Sequence, residues 1–136
     1  MSLNVRRVVT DHDERGRSRV VIDERCAEVI SRRPGHQSCV AWTGPDGTIF
    51  RVVEYQPGVA PRLHRTETID YAVVMSGEIE MQLDIGKVHL RAGDVLVQQA
   101  TLHDWVNRGP EPCRIAFVLV PTKPMTRDGK VLHAVG

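Results

Sequence analysis

The sequence contains few cysteines, and none of them forms a close pair with another. Cys26, Cys39 and Cys113 are odd in number, lie far apart and form no CxxC motif. This arrangement argues against both a disulfide framework and a zinc knuckle. We therefore expect three reduced thiols with structural roles.

An excess of one charge and long apolar runs are also missing. Eighteen Lys and Arg residues against 17 Asp and Glu residues leave a net charge of +1, which disfavours nucleic acid and anionic membranes as partners. No apolar run approaches the roughly 20 residues of a membrane helix, and the start of the chain lacks the apolar core of a secretion signal. We expect a cytoplasmic protein without a membrane span.

The third missing feature is a long helical period of apolar residues. Short β-branched runs instead alternate with turns rich in Gly, Pro and Asp, which predicts an all-β fold, either a sandwich or a barrel. A short helix over residues 24–30 is the one exception that we expect. The predicted strands are residues 18–22, 38–42, 48–55, 71–75, 78–83, 87–90, 95–98, 104–107 and 113–120.

The length of 136 residues suits one domain. Residues 48–122 carry most of the predicted strands and form the expected β-barrel. Residues 1–47 are less regular, which indicates an N-terminal arm packed on the barrel or across a dimer contact. Residues 123–136 are a C-terminal tail, in which a DG turn predicts a folded-back hairpin or a frayed end. Apolar strand edges predict a homodimer.

Two histidine-containing segments place polar side chains on one face of the chain. Because side chains alternate in an extended segment, His64, Thr66 and Asp70 project to the same side. The same alternation aligns His103, Trp105 and Asn107. Facing into a barrel, these side chains would form the wall of a ligand pocket. The remaining histidines are expected to be structural; they are His12, His36, His89 and His133.

The first of these segments resembles the first sequence motif of the cupins. Gly58, His64 and Gly77 match that motif at its usual spacing, with Thr66 in the place of its second histidine and Asp70 in the place of its glutamate.

The second segment resembles the second cupin motif. Gly93, His103 and Asn107 match in order, although the usual proline and glycine between the first two are missing and the stretch is one residue short. Together the motifs span residues 58–107. The resemblance implies a jelly-roll barrel of the small, single-domain RmlC-like type.

The resemblance also implies a metal centre. Cupins hold a divalent metal with three histidines and a glutamate, so the implied ligands are His64, Asp70 and His103, with Thr66 a poor fourth. Two imidazoles and one carboxylate suit Fe(II) and tolerate Mn, Ni or Zn. Glu67 would replace Asp70 only if a β-bulge turned it inward. The alternative is a metal-free, hydrogen-bonded polar end of the pocket.

Two classes of function stay open, and in both the partner is a small-molecule ligand. The first is a metal-dependent enzyme acting on a small oxygen-rich molecule, as a dioxygenase, isomerase, cyclase, decarboxylase or lyase. Thr66, Trp105 and Asn107 would then line the substrate pocket, and one arginine would clamp a substrate carboxylate. The candidates for that arginine are Arg51, Arg62 and Arg65. The second class is a non-catalytic cupin that binds a small ligand in a degenerate, metal-free site.

Overall fold

The computed structural model describes residues 3–136, which consist almost entirely of β-strands and the turns between them. All nine predicted strands are present, and one 3-10 turn, the only helical element within residues 3–136, spans Pro45–Gly47. The strands are β1 (Arg6–His12), β2 (Ser18–Arg25), β3 (Ile30–Arg33), β4 (His36–Thr43), β5 (Ile49–Tyr55), β6 (Thr68–Ser76), β7 (Glu78–Leu83), β8 (Lys87–Arg91), β9 (Val95–Gln99), β10 (His103–Val106), β11 (Cys113–Pro121), β12 (Met125–Arg127) and β13 (Lys130–Leu132).

The prediction of a helix over residues 24–30 is wrong. Strand β2 runs to Arg25, and β3 begins at Ile30. A helix this short does not recover the free energy of its own nucleation. Pairing with β1 offers an alternative, because the Glu24 carboxylate bonds to the Arg7 guanidinium at 2.8 Å across the hairpin. The backbone amide of Cys26 also donates to the Val5 carbonyl at 2.8 Å.

Two sheets face each other across the main core. The larger has the strand order β3-β4-β5-β11-β6-β9, and the smaller has the order β10-β7-β8. Alternate residues of both sheets point inward and form one buried apolar cluster, as the period of two in an antiparallel strand requires. Its members are Val53, Tyr55, Val59, Ala72, Val74, Ile79, Met81, Leu90, Trp105, Cys113, Ile115, Phe117 and Leu119.

The N-terminal segment is more regular than the sequence predicts. Strands β1 and β2 form a separate hairpin, whereas β3 and β4 join the larger sheet, which therefore begins before residue 48. On the outer face of that sheet, Leu3 packs against Cys39 and Val52 in a second buried cluster. The segment thus covers part of the barrel surface.

The C-terminal tail folds back as a hairpin, the first of the two predicted alternatives. Strands β12 and β13 pair around Asp128 and Gly129, whose φ angles of 50° and 70° are those of a tight two-residue hairpin turn. A backbone bridge between Arg65 and Val135 fastens the tail to the segment that carries His64.

The rest of the outer face of the larger sheet carries exposed apolar side chains, including Phe50, Tyr71, Val95 and Val97. The predicted homodimer would cover such a surface, and it stays a prediction. Within residues 3–136, no helix has the length and apolar character needed to cross a membrane.

Candidate functional site

Backbone pairing brings the two histidines of the predicted site together. His64 and His103 form an isolated antiparallel bridge, in which each amide donates to the other's carbonyl at 3.0 Å. Directly opposed residues of such a bridge project to the same face, and the two imidazole centroids lie 4.5 Å apart. The structure therefore brings His64 and His103 together.

Each imidazole is held by its Nδ1 atom. The Nδ1 of His64 bonds to the Arg62 carbonyl at 2.9 Å, and the Nδ1 of His103 bonds to the Thr101 carbonyl at 2.8 Å. Because a carbonyl only accepts, both Nδ1 atoms carry the hydrogen. Burial lowers the pKa of His64 to about 4 and also lowers the pKa of His103. Both rings are then neutral near pH 7, with the lone pair on Nε2.

Asp70 lies on the same wall but is engaged by neighbours. Its Oδ1 accepts a hydrogen bond from the Thr68 hydroxyl at 2.7 Å, and its Oδ2 accepts one from the Gln98 amide at 2.9 Å. Burial raises the pKa of Asp70, and these two bonds oppose that rise. Gln98 sits directly opposite Asp70 in the β6–β9 register, and its own carbonyl accepts from Thr101. A chain of hydrogen bonds thus fixes the carboxylate.

The three side chains line a cavity of about 40 Å³ between the two sheets. Thr66 also lines it, and its hydroxyl bonds to that of Thr68 at 2.9 Å. Trp105 closes the floor, 3% exposed, with its ring edge-on to His103 at 6.0 Å and to Phe117 at 6.1 Å. A larger groove of about 480 Å³ lies outside the barrel beside the C-terminal hairpin, away from both histidines.

Asn107 occupies a different place from the other predicted pocket residues. It is buried, lies outside the residues that line the cavity, and its amide donates to the carbonyls of Tyr55 at 3.0 Å and Glu111 at 2.9 Å. Its Oδ1 accepts from the Gly109 amide at 3.0 Å. The side chain therefore fastens the turn that follows β10 to the end of β5.

The fit of the implied metal can be judged from these donors. His64 and His103 suit a metal because each has Nδ1 tied to a backbone carbonyl and Nε2 left as a neutral donor. Both oxygens of Asp70 already accept hydrogen bonds, from Thr68 and from Gln98, so a metal ion would have to share them with these donors. In the described part of the chain, no three His, Cys, Asp or Glu side chains are arranged to hold a metal ion. The residues thus offer two ready ligands and a third that has to rearrange. Glu67 is no substitute, since it lies outside the residues that line the cavity and its carboxylate accepts from the Ala134 amide.

The structure also identifies which arginines reach the cavity. Arg51 and Arg62 line it, whereas Arg65 points to the groove beside the C-terminal hairpin and donates to the His133 carbonyl. The sequence left the inward-facing arginine open, and in the structure alternation on β5 puts Arg51 beside Val53 and Tyr55 on the inner face.

Two further residues of the cavity, Arg33 and His36, escaped the sequence analysis, which gave His36 a structural role. They flank the turn between β3 and β4, and no sequence motif marks that turn as part of a site.

Comparison with known proteins agrees with this architecture. A family model described as the cupin domain matches residues 51–120. The chain is 45% identical over 93 residues to the phomopsin biosynthesis cluster protein C' of Diaporthe leptostromiformis, covering 67% of this chain and 49% of the relative. It is 40% identical over 92 residues to the cupin-domain-containing oxidoreductase fogC of Aspergillus ruber, covering 65% and 45%. The chain thus spans about half the length of these relatives.

Solved structures agree on the fold. The cupin domain of Schizosaccharomyces pombe Cnp3 superposes with a TM-score of 0.64 at 14% identity, covering 85% of this chain and 87% of that one. At this identity the likeness supports the jelly-roll architecture and nothing about the ligand.

Proposed function

The chain belongs to the cupin domain family, and from that premise we propose that it is an enzyme domain acting on a small, oxygen-rich molecule in the cavity at His64 and His103, with a divalent metal bound there. The observation that carries the proposal is the pair of neutral imidazoles 4.5 Å apart, each oriented by a backbone carbonyl. Imidazoles that only packed in the core would not require this pairing beside a cavity.

Different residues of the cavity would bind the metal, orient the carboxylate and exclude water. His64, His103 and Asp70 would hold Fe, Mn, Ni or Zn, which when bound supplies a Lewis acid for an oxygen atom of the substrate. Thr68 and Gln98 orient the Asp70 carboxylate through their hydrogen bonds. Trp105 and Phe117 keep water from the inner end of the cavity, because both are buried and in edge contact.

The relatives support an enzyme more than a passive binder. Several of them are named as cupin-domain-containing oxidoreductases. Since the chain covers less than half of each of these relatives, the reaction of the whole protein is part of the proposal. Oxidoreduction of an oxygen-rich substrate is compatible with two imidazoles and a carboxylate around a redox metal.

Metal content tests the proposal directly. Protein purified without chelators and without a metal-affinity column is analysed for Fe, Mn, Ni and Zn in wild type, His64→Ala, His103→Ala and Asp70→Asn. We expect near-stoichiometric metal in wild type, loss in both histidine variants, and weaker retention in Asp70→Asn. His12→Ala is the matched control, since His12 is exposed at the end of β1. Metal-free wild type that also fails to take up added ions would contradict the proposal.

One observation favours a second candidate function, a non-catalytic cupin with a metal-free site. Both oxygens of Asp70 already accept hydrogen bonds, so the polar end of the cavity is partly satisfied without an ion. In that case His64 and His103 would bind the ligand through hydrogen bonds. The metal analysis separates the two, because this candidate predicts a folded wild type without metal and with the same ligand affinity before and after chelation.

A further inference from the structure

The cavity is surrounded by more positive than negative charge. Arg33, Arg51 and Arg62 line it, and the facing carboxylate is that of Asp70. The phenol of Tyr55 adds no negative charge, since burial raises its pKa. A cavity with this charge distribution attracts an anion.

Arg51 presents an unpaired hydrogen-bond donor in the cavity. It lies on the inner face of β5, and its Nε is buried without a hydrogen-bond partner among residues 3–136. Burial also lowers the pKa of its guanidinium. Tyr55 and, to a smaller extent, Asp70 oppose this lowering of the pKa, and both oxygens of Asp70 are occupied by Thr68 and Gln98. A buried guanidinium N–H left unpaired opposes folding, so its retention is explained by a ligand that pairs with it.

Residues from the β3–β4 turn converge on the same cavity. Arg33 is held in place by a hydrogen bond from its Nε to the Ala60 carbonyl at 2.9 Å. His36, in edge contact with Tyr55 at 5.6 Å, has a buried Nδ1 that also lacks a partner among the described residues. Two unpaired nitrogen atoms, on Arg51 and His36, therefore line one small cavity.

The size of the cavity limits the anion. One water needs roughly 10–15 Å³ of such space, so about 40 Å³ admits about three non-hydrogen atoms. That is the size of a planar carboxylate group, whose alkyl chain can stay outside the cavity, whereas the tetrahedral phosphate group alone has about five non-hydrogen atoms. A guanidinium also matches the two oxygens of a carboxylate in one plane.

We infer that Arg51, supported by Arg33 and His36, binds a carboxylate group of the ligand inside the barrel. The inference rests on the proposed function for the choice of this cavity as the substrate site, and it makes the substrate a carboxylic acid. The carboxylate pairs with the free Nε–H edge of Arg51, and the remainder of the molecule lies outside this small cavity.

The inference is testable without any metal. Protein treated with EDTA and dialysed is titrated with sodium propanoate, and with sodium chloride and sodium phosphate at equal ionic strength. The two tryptophans give separate indole N–H signals in nitrogen–proton correlation spectra. Trp105 lines the cavity, while Trp42 is 48% exposed on the surface, so one spectrum contains a reporter and an internal control.

We expect propanoate, and not chloride, to shift the Trp105 signal saturably and to leave Trp42 unchanged. Arg51→Met should weaken propanoate binding by about tenfold or more, because it removes a charge-assisted pair. Arg15→Met, in the exposed β1–β2 turn, is the matched control and should bind as wild type does. Arg51→Lys keeps the charge without the planar fork and should also bind more weakly than wild type.

Three results would overturn the inference. They are no saturable shift in wild type, wild-type affinity in Arg51→Met, and tighter binding of phosphate than of propanoate. If Arg51→Met does not fold, wild-type affinity in Arg51→Lys overturns it instead. Because the titration uses metal-free protein, its failure leaves the metal analysis unaffected, and a metal-free wild type leaves the titration valid.

Discussion

Replacement of Asn107 by alanine tests whether this residue is a structural clamp. The side chain makes three hydrogen bonds to backbone groups of three other residues, Tyr55, Gly109 and Glu111. Asn107 itself is 2% exposed. In Asn107→Ala the Tyr55 carbonyl loses its donor in a buried position, where an unsatisfied group costs about 1–3 kcal/mol. The other two groups are partly buried, so water replaces part of what they lose.

The expected loss of stability is therefore about 3 kcal/mol, which corresponds to a fall in Tm of roughly 10 °C for a domain of this size. Urea unfolding followed by circular dichroism measures it. Asn4→Ala is the matched control, because Asn4 is exposed and its replacement should change stability by no more than about 0.5 kcal/mol. Asn107→Asp keeps an acceptor for Gly109 but cannot donate to either carbonyl when ionised, so at pH 7 it should be no more stable than Asn107→Ala.

A loss below about 1 kcal/mol in Asn107→Ala would refute the structural role. A stable Asn107→Ala protein that no longer bound propanoate would instead return Asn107 to the ligand pocket, where the sequence analysis placed it. The two assays therefore distinguish a residue that shapes the barrel from one that contacts the ligand.

Two further predictions follow from buried groups near the barrel ends. Burial and the nearby arginines lower the pKa of His36 to about 4. Between pH 6.5 and pH 4 the unfolded chain therefore binds more protons than the folded one, and the free energy of unfolding decreases as the pH decreases. His36 alone contributes about 2–3 kcal/mol to the fall in stability between pH 7 and pH 4.5. Urea unfolding should find the fall smaller in His36→Gln and unchanged in His12→Gln, and identical pH profiles for wild type and His36→Gln would contradict this. Gly77 has φ +74°, and a Cβ there would overlap the Pro112 carbonyl and lie 2.9 Å from the Cα of Cys113, whereas Gly86, at φ +79°, faces open space. Gly77→Ala should therefore lose about 2–5 kcal/mol and Gly86→Ala about 1–2 kcal/mol in the same assay, and equal losses would refute the close approach.

Strand periodicity predicted much of the fold because it is a local property of the chain. The nine predicted strands all occur, and the inward direction of Ala72 and Val74 after Asp70 follows from alternation alone. Strands β1 and β3 were missed, and the β12–β13 hairpin was predicted only as one of two alternatives, because these strands are short or polar and are stabilised by partners. Cross-strand ion pairs such as Arg6 with Asp23 at 2.7 Å stabilise the β1–β2 hairpin, and pairs of this kind have no local apolar signature.

The sequence predicted part of the candidate site, as it predicted part of the fold. Alternation and motif spacing placed His64, Thr66 and Asp70 on one wall and brought His103 opposite. Spacing did not reveal that the Asp70 oxygens are occupied by Thr68 and Gln98, because the β6–β9 register that brings Gln98 opposite Asp70 is set by pairing between strands distant in sequence.

The proposed metal ligands and most of the proposed carboxylate-binding residues come from different parts of the chain. His64, Asp70 and His103 lie within residues 51–120, the part that matches the cupin domain model, and Arg51 is the first residue of that match. Arg33 and His36 lie before it and reach the cavity only because β3 and β4 extend the larger sheet. The groups proposed for metal chemistry thus belong to the part that matches the cupin domain model, whereas two of the three residues of the proposed carboxylate site come from the preceding segment. Changes in the β3–β4 turn would then alter which acid is bound while leaving the imidazole pair intact, since no hydrogen bond joins that turn to His64 or His103 in residues 3–136.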